Sequence, residues 1–138
     1  MTCHRKPPLP KWFDSTEPGV CKWCNTSIEQ TKTGRKSKSK WHTKCVIEYK
    51  KLFWPAVTRR AVWARDKGKC RSCGTVSPKR GGHWHMDHIK PLIESHGDIS
   101  FWKMPNLQTL CKSCHTKKTS QEATDRALKK KLEKEQKK

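Results

Sequence analysis

Apolar residues are sparse along this chain, and their spacing changes from one segment to the next. Between residues 43 and 66 they recur every three or four positions: Val46, Tyr49 and Phe53, then, beyond Pro55, Val57, Ala61 and Ala64. That is the period of a helix with one buried stripe, and Pro55 and Gly68 supply the stops. The pattern predicts helices near 43–53 and 56–66. Trp54 and Trp63 lie on or beside them; with so few large apolar residues they are expected in the core, base stacking being the alternative. HWHMDHI at 83–89 and LQTLC at 107–111 read as short strands, Pro91 closing the first. Between them 93–105, with Gly97 and Pro105, reads as a loop, and GTVSPKRGG at 74–82 as a turn or hairpin loop. From Lys112 onward there is no glycine or proline, and Ala127, Leu128 and Leu132 form only a narrow stripe. The segment is helix-permissive, and after about Ser120 a long solvated helix that frays into disorder is expected. Residues 1–19 hold four prolines and a glycine and read as an extended arm.

Composition sharpens this picture. Hydrophobic residues make up 32% of the chain, against roughly 45–50% in ordinary domains, so a large core is excluded and a chain of 138 residues needs staples. Eight cysteines are available. Their spacing favours metal over disulfides: CKWC, HTKC, CRSC and CKSC place ligands two residues apart, no signal peptide precedes them, and no apolar run approaches the roughly 20 residues of a membrane span. Cys21, Cys24, His42 and Cys45 form one plausible closed zinc site, in which Cys3 or His4 could stand in for His42; the loop TKTGRKSKSK at 31–40, within it, is basic and without apolar residues. Cys70 and Cys73 with Cys111 and Cys114 form a second, tying together the ends of a long excursion. Lys and Arg outnumber Asp and Glu by 32 to 12, a formal charge of +20. Such an excess on a chain lacking a membrane-binding face predicts a polyanionic partner, nucleic acid, bound with strong salt dependence.

The excursion carries the chemistry. HMDHIKPL at 85–92, NLQTLC at 106–111 and CKSCHTKKT at 111–119 hold an acidic residue beside a histidine, an asparagine, and a histidine directly after a cysteine pair. This is the residue set of a metal-dependent phosphodiester hydrolase, and strand, loop, strand and helix between two zinc knuckles is what a ββα-metal site requires. From ARDKGKCRSCG at 64–74, through HMDHIKPL and SHGD at 95–98, to NLQTLCKSCHTKKT at 106–119, the chain resembles the zinc-containing HNH endonucleases, many of them from bacteriophages and mobile elements. The resemblance implies a small, zinc-stapled α+β fold: a ββα-metal nuclease core preceded by helices and an N-terminal zinc knuckle. It implies His88 as general base, Asp87 and His115 as ligands of one catalytic Mg2+ or Mn2+, and Asn106 as the residue that holds the loop and orients the base.

Neighbours on a regular strand point to opposite faces, so Asp87 and His88 are expected where the strand is already ending, with Pro91 helping the bend. His85 shares Asp87's face and reads either as a surface histidine or as a further ligand or phosphate contact. Lys90, Lys112, Lys117 and Lys118 flank the site as phosphate contacts. A glycine pair often seen in such loops is His96–Gly97 here, with one glycine expected to suffice for the turn. The resulting division is an arm at 1–19, a zinc module at 20–54, the nuclease domain at 55–120 and a basic helical or disordered tail at 121–138. DNA is the expected partner, with two structural zinc ions, no membrane, and a monomer or weak dimer or a part of a larger phage complex in the cytoplasm, that of the host if phage-encoded. The competing reading is a noncatalytic zinc-finger DNA-binding protein or an accessory module of a phage packaging or replication machine.

Overall fold

The computed structural model describes residues 6–29, 33–35, 37–78, 80 and 82–137. Cys3 and His4, considered above as metal ligands, lie outside the described residues, as do parts of the loops at 31–40 and 74–82 and the last residue of the tail. The elements follow the order α1 (Thr43–Phe53), α2 (Pro55–Asp66), β1 (Trp84–His88), β2 (Leu107–Cys111) and α3 (Lys112–Glu135), with three short 3-10 turns at Leu92–Glu94, Ile99–Trp102 and Met104–Asn106. The strands pair antiparallel, Trp84 opposite Cys111 and His88 opposite Leu107. The architecture is the small α+β, ββα arrangement expected from the sequence.

The chain divides into two compact units, residues 1–61 with 90–106 and residues 62–89 with 107–138. The division falls within α2. In the first unit an aromatic cluster takes the place of an aliphatic core. Tyr49 and Phe53, one turn apart on α1, stack at 4.5 Å, and Phe13 and Trp41 approach Tyr49 at 5.7 and 5.0 Å. Trp23, between the two knuckle cysteines, meets Tyr49 edge-on at 5.8 Å. Large rings bury much apolar area per residue and pair favourably edge-on or offset, which suits a chain short of aliphatic side chains. Phe13 is a member of this cluster, and Phe13 and Ser15 make turn hydrogen bonds to Pro10 and Trp12. The expected extended arm is therefore folded over this stretch.

The second unit buries Val62, Cys70, Trp84, Leu107, Leu110 and Thr109. Alternation along β2 explains part of this: Leu107 and Thr109 face one side, while Leu110 is buried on the other. α3 packs against both strands at its N-terminal end and then runs into solvent, where Leu128 and Leu132 are about half exposed. The helix continues to Glu135. Trp63 conforms to expectation, half-buried with its indole N–H donating to the Ser77 carbonyl at 3.2 Å. Trp54 does not: it follows the last residue of α1, and its ring is 50% exposed beneath the Lys50 ammonium.

Candidate active site and metal centres

The two CxxC knuckles are copies of one local fold. After the second cysteine comes a residue in the left-handed region, Asn25 (φ 57°) or Gly74 (φ 79°). Its amide donates to the carbonyl of the first cysteine, at 2.9 Å in both. The amide of the first cysteine in turn donates to the carbonyl of a threonine, Cys21 to Thr26 at 2.9 Å and Cys70 to Thr75 at 2.8 Å. The hydroxyls of the same threonines lie 3.0 Å from the Cys24 sulfur and 3.2 Å from that of Cys73. Only asparagine and glycine enter the left-handed region cheaply, so the repeat is legible as C-x-x-C-[Asn/Gly]-Thr, a longer signal than the cysteine spacing used above.

Each knuckle meets its second pair of ligands. Cys21, Cys24, His42 and Cys45 present ligand atoms all within 4.8 Å of one another, and so do Cys70, Cys73, Cys111 and Cys114. His42 precedes α1. Its Nδ1 lies 3.4 and 3.9 Å from the sulfurs of Cys24 and Cys45, while Nε2 lies 3.1 Å from the Ser27 carbonyl. A proton on Nε2 is thereby fixed by the carbonyl, leaving Nδ1 as the ligand atom. In the second cluster the Cys73 and Cys111 sulfurs are 3.7 Å apart.

The protonation of the thiols points to a cation. In the first cluster burial raises Cys21, but the surrounding backbone N–H groups of Cys24, His42 and Trp23 more than offset it and bring the thiol to about 6. Cys45 is pushed up to about 12 by burial and by the neighbouring Cys21 and Cys24 sulfurs. In the second, the Ser113 hydroxyl and the Cys114 N–H lower Cys111 to about 6. The Ser72 side chain favours the Cys114 thiolate, yet the Cys111 and Cys73 sulfurs drive that thiol to about 11. Each cluster thus ionises some thiols at the expense of another. A metal ion would let all of them be thiolates together, and the donor sets fit one.

Asp87 and His115 come together where β1 meets α3. Asp87 pairs with Gln108 in the strand register, and Gln108 Nε2 donates to Asp87 Oδ2 at 2.9 Å. Oδ1 of the same carboxylate faces His115 Nε2 at 4.0 Å. The sequence following Cys114 explains this: α3 opens at Lys112, between Cys111 and Cys114, so the helix start that sets Cys114 also sets His115, one residue on. The ring of His115 stacks on His85, centroids 4.3 Å apart and planes 11° from parallel. His85 therefore holds the His115 ring by its face. Among the described residues, the two closed clusters are the groups in which three or more such ligands converge; Asp87 and His115 are brought together as a pair.

His88 is the last residue of β1, paired with Leu107, so the strand stays regular through Asp87 and ends on His88 itself. Its ring is half-buried, and burial lowers its pKa below the ordinary histidine value, with Lys118 acting the same way and Asp87 opposing. Asn106 works within its loop: Oδ1 accepts from Lys90 N at 2.8 Å, and Nδ2 donates to the carbonyls of Lys90 at 3.1 Å and Phe101 at 2.8 Å. Of the four flanking lysines, Lys90, Lys112 and Lys117 are exposed. Lys118 is turned inward, its ammonium 3.1 Å from Asp87 Oδ2, 2.8 Å from the His88 carbonyl and bonded to Glu122. Gln108 and Lys118 as partners of Asp87 were not singled out from the sequence; Gln108 becomes visible only once the strand register is known.

The family model described as HNH endonuclease matches residues 70–121. A probable HNH endonuclease of Lactococcus phage SK1 is 45% identical over 75 residues, which cover 53% of this chain and 76% of that protein. The DNA annealing helicase and endonuclease ZRANB3 of Mus musculus is 30% identical over 113 residues, 82% of this chain, and the human protein is 30% identical over 112. The chain spans only 9% of the length of these animal relatives. A match of 113 residues is longer than the stretch from Cys70 to the C-terminus, so it takes in part of the N-terminal module as well. No solved structure matches the chain. No helix among the described residues is long and apolar enough to cross a membrane. With a family model over the four-cysteine cluster and both strands and a phage relative matched over most of its length, the chain belongs to the HNH endonuclease family.

Proposed function

We propose that this protein is a metal-dependent DNA endonuclease that hydrolyses phosphodiester bonds, with His88 as general base and one divalent cation, Mg2+ or Mn2+, held by Asp87 and His115. The observation that carries the reading is the 4.0 Å separation of Asp87 Oδ1 and His115 Nε2. Two ligands each bonded at about 2.0–2.2 Å to one ion lie up to about 4 Å apart, so the pair fits a shared cation. When bound, the cation supplies Lewis-acid stabilisation of the charge that develops on the phosphate and on the leaving 3′ oxygen. Asp87 contributes a hard oxygen ligand, anchored through Oδ2 by Gln108. His85 keeps the His115 ring from rotating. His88, neutral at pH 7 because burial lowers its pKa, takes a proton from the attacking water. Asn106 clamps both backbone groups of Lys90, two residues beyond His88, and so limits the freedom of the chain that carries the base.

Lys90, Lys112 and Lys117 contact DNA phosphates, and the two closed clusters each hold a structural zinc ion. The phage relative supports a setting in the host cytoplasm. The test is cleavage of supercoiled plasmid with Mg2+ or Mn2+. His88→Ala is expected to lose about 10²–10⁴-fold in rate, the usual worth of a general base, while keeping its fold and zinc. Intact plasmid with the wild-type protein would leave the noncatalytic DNA-binding reading in its place.

A further inference from the structure

Lys118 holds a position that neither zinc binding nor the proposed hydrolysis explains. It lies on α3 three residues after His115, on the same face of the helix. Its ammonium joins two carboxylates, Asp87 Oδ2 at 3.1 Å and Glu122 one turn further on, and donates to the His88 carbonyl at 2.8 Å. Asp87 is thus neutralised from the Oδ2 side while Oδ1 remains toward His115.

We propose that Lys118 is the resident counter-cation of the Asp87–His115 site and passes its charge from Asp87 to a substrate phosphate when a divalent cation binds; the proposal rests on the metal-site reading above. A divalent ion on Oδ1 places a larger positive charge on the same carboxylate, and at this range the two cations repel strongly. The ammonium has somewhere to go. Its four-carbon stem is flexible, Glu122 serves as a pivot, and beside it opens a cavity of about 600 Å³ lined by Ser72, Gln108, Lys117, Lys118 and Gln121 among others. A phosphate there meets Lys117 and the released Lys118. The ion that displaces Lys118 therefore strengthens DNA binding, and by linkage DNA strengthens binding of the ion by the same factor.

The experiment uses the full zinc-loaded chain carrying His88→Ala, so that DNA stays intact. Mn2+ is titrated calorimetrically without DNA, and a labelled duplex is titrated by fluorescence anisotropy with and without saturating Mn2+. Adding Lys118→Met is expected to tighten Mn2+ binding about tenfold, within the usual range of site coupling, and to abolish the gain in DNA affinity that Mn2+ gives the parent. Lys118→Arg, which keeps the charge, is expected to keep the parent's weaker Mn2+ affinity. Mn2+ binding to Lys118→Met no tighter than to the parent overturns the proposal, as does an equal Mn2+-induced gain in DNA affinity with lysine and methionine. Should the methionine variant lose zinc, Lys118→Gln takes its place under the same criteria. Asp87→Asn in the parent separates the two ideas: if it binds Mn2+ as well as the parent does, the metal-site reading itself fails and this proposal falls with it.

Discussion

Asp66 shows how much one short side chain can organise in a chain with little core. Only 1% of it is exposed. Its carboxylate accepts from Arg65 Nε at 2.8 Å and Nη2 at 3.0 Å, from the Thr109 amide at 2.9 Å, and from Arg71 Nη1 at 3.5 Å. Arg65 Nη2 also donates to the Leu107 carbonyl at 2.6 Å, so the last turn of α2 is fastened to two residues of β2. Burial by itself would raise the pKa of Asp66, but Arg65 and Thr109 more than offset it and keep the group ionised. Asp66→Asn turns a donor group toward this set of donors; the expected loss is about 1–3 kcal/mol, the cost of an unsatisfied buried polar group, read by denaturant unfolding at constant zinc. A change inside the roughly 0.5 kcal/mol range of surface substitutions would mean that the network contributes nothing. His96 presents the opposite case. One glycine was expected to suffice for the turn, yet His96 (φ 45°) and Gly97 (φ 89°) are both left-handed. A histidine there is strained by about 1–2 kcal/mol, partly returned by its smaller unfolded-state entropy. His96→Gly is expected to raise stability by up to about 1 kcal/mol, seen as a higher melting temperature with unchanged zinc content.

At the scale of elements, the joins are more specific than the helices they end. α2 stops at Gly68 (φ 67°), where an added Cβ would fall 2.5 Å from the Ser77 carbonyl and 2.8 Å from the Trp63 indole nitrogen. Neither neighbour is free to move: Trp63 donates to that same Ser77 carbonyl, and Ser77 N donates back to Gly68. Gly68→Ala must therefore break the hairpin that carries the second knuckle, and lowered zinc affinity at the four-cysteine site is the expected result, measured by competition with a chromogenic chelator. α3 behaves otherwise. Its first turns pack on both strands, whereas every described position from Ala123 onward is exposed. The segment 124–138 carries seven Lys and Arg against three Asp and Glu. A chain ending at Ala123 is expected to keep its melting temperature and both zinc ions but to bind DNA with a shallower dependence on salt, since the slope follows the number of phosphates neutralised. An unchanged slope would show that the tail makes no phosphate contacts.

For the molecule as a whole, what was legible in the sequence is what depends on local order. The 3–4 period of Val46, Tyr49 and Phe53 and the two-residue gap between cysteines need no knowledge of the rest of the fold, and the helices, strands and cysteine clusters stand where these signals put them. Gln108 and Lys118 on Asp87 depend on strand register and helix docking, and the exposure of Trp54 on what little there is to cover it. The same dependence makes the proposed zinc decisive. Binding of a structural zinc is worth about 10–16 kcal/mol, which matches or exceeds the whole stability of an ordinary domain, about 5–15 kcal/mol. In the second unit the proposed zinc would join Cys70 and Cys73 to Cys111 and Cys114, the residues that end β2 and open α3. Losing it releases the start of α3, and His115 with it, from the strand that holds Asp87. Cys111→Ser is accordingly expected to bind one zinc per chain instead of two, to lose amide-exchange protection along Trp84–His88 and Leu107–Leu110, and to lose cleavage. A Cys111→Ser protein that kept this protection would show that the ββα frame stands without its metal, and that His115 is positioned by packing and not by the knuckle.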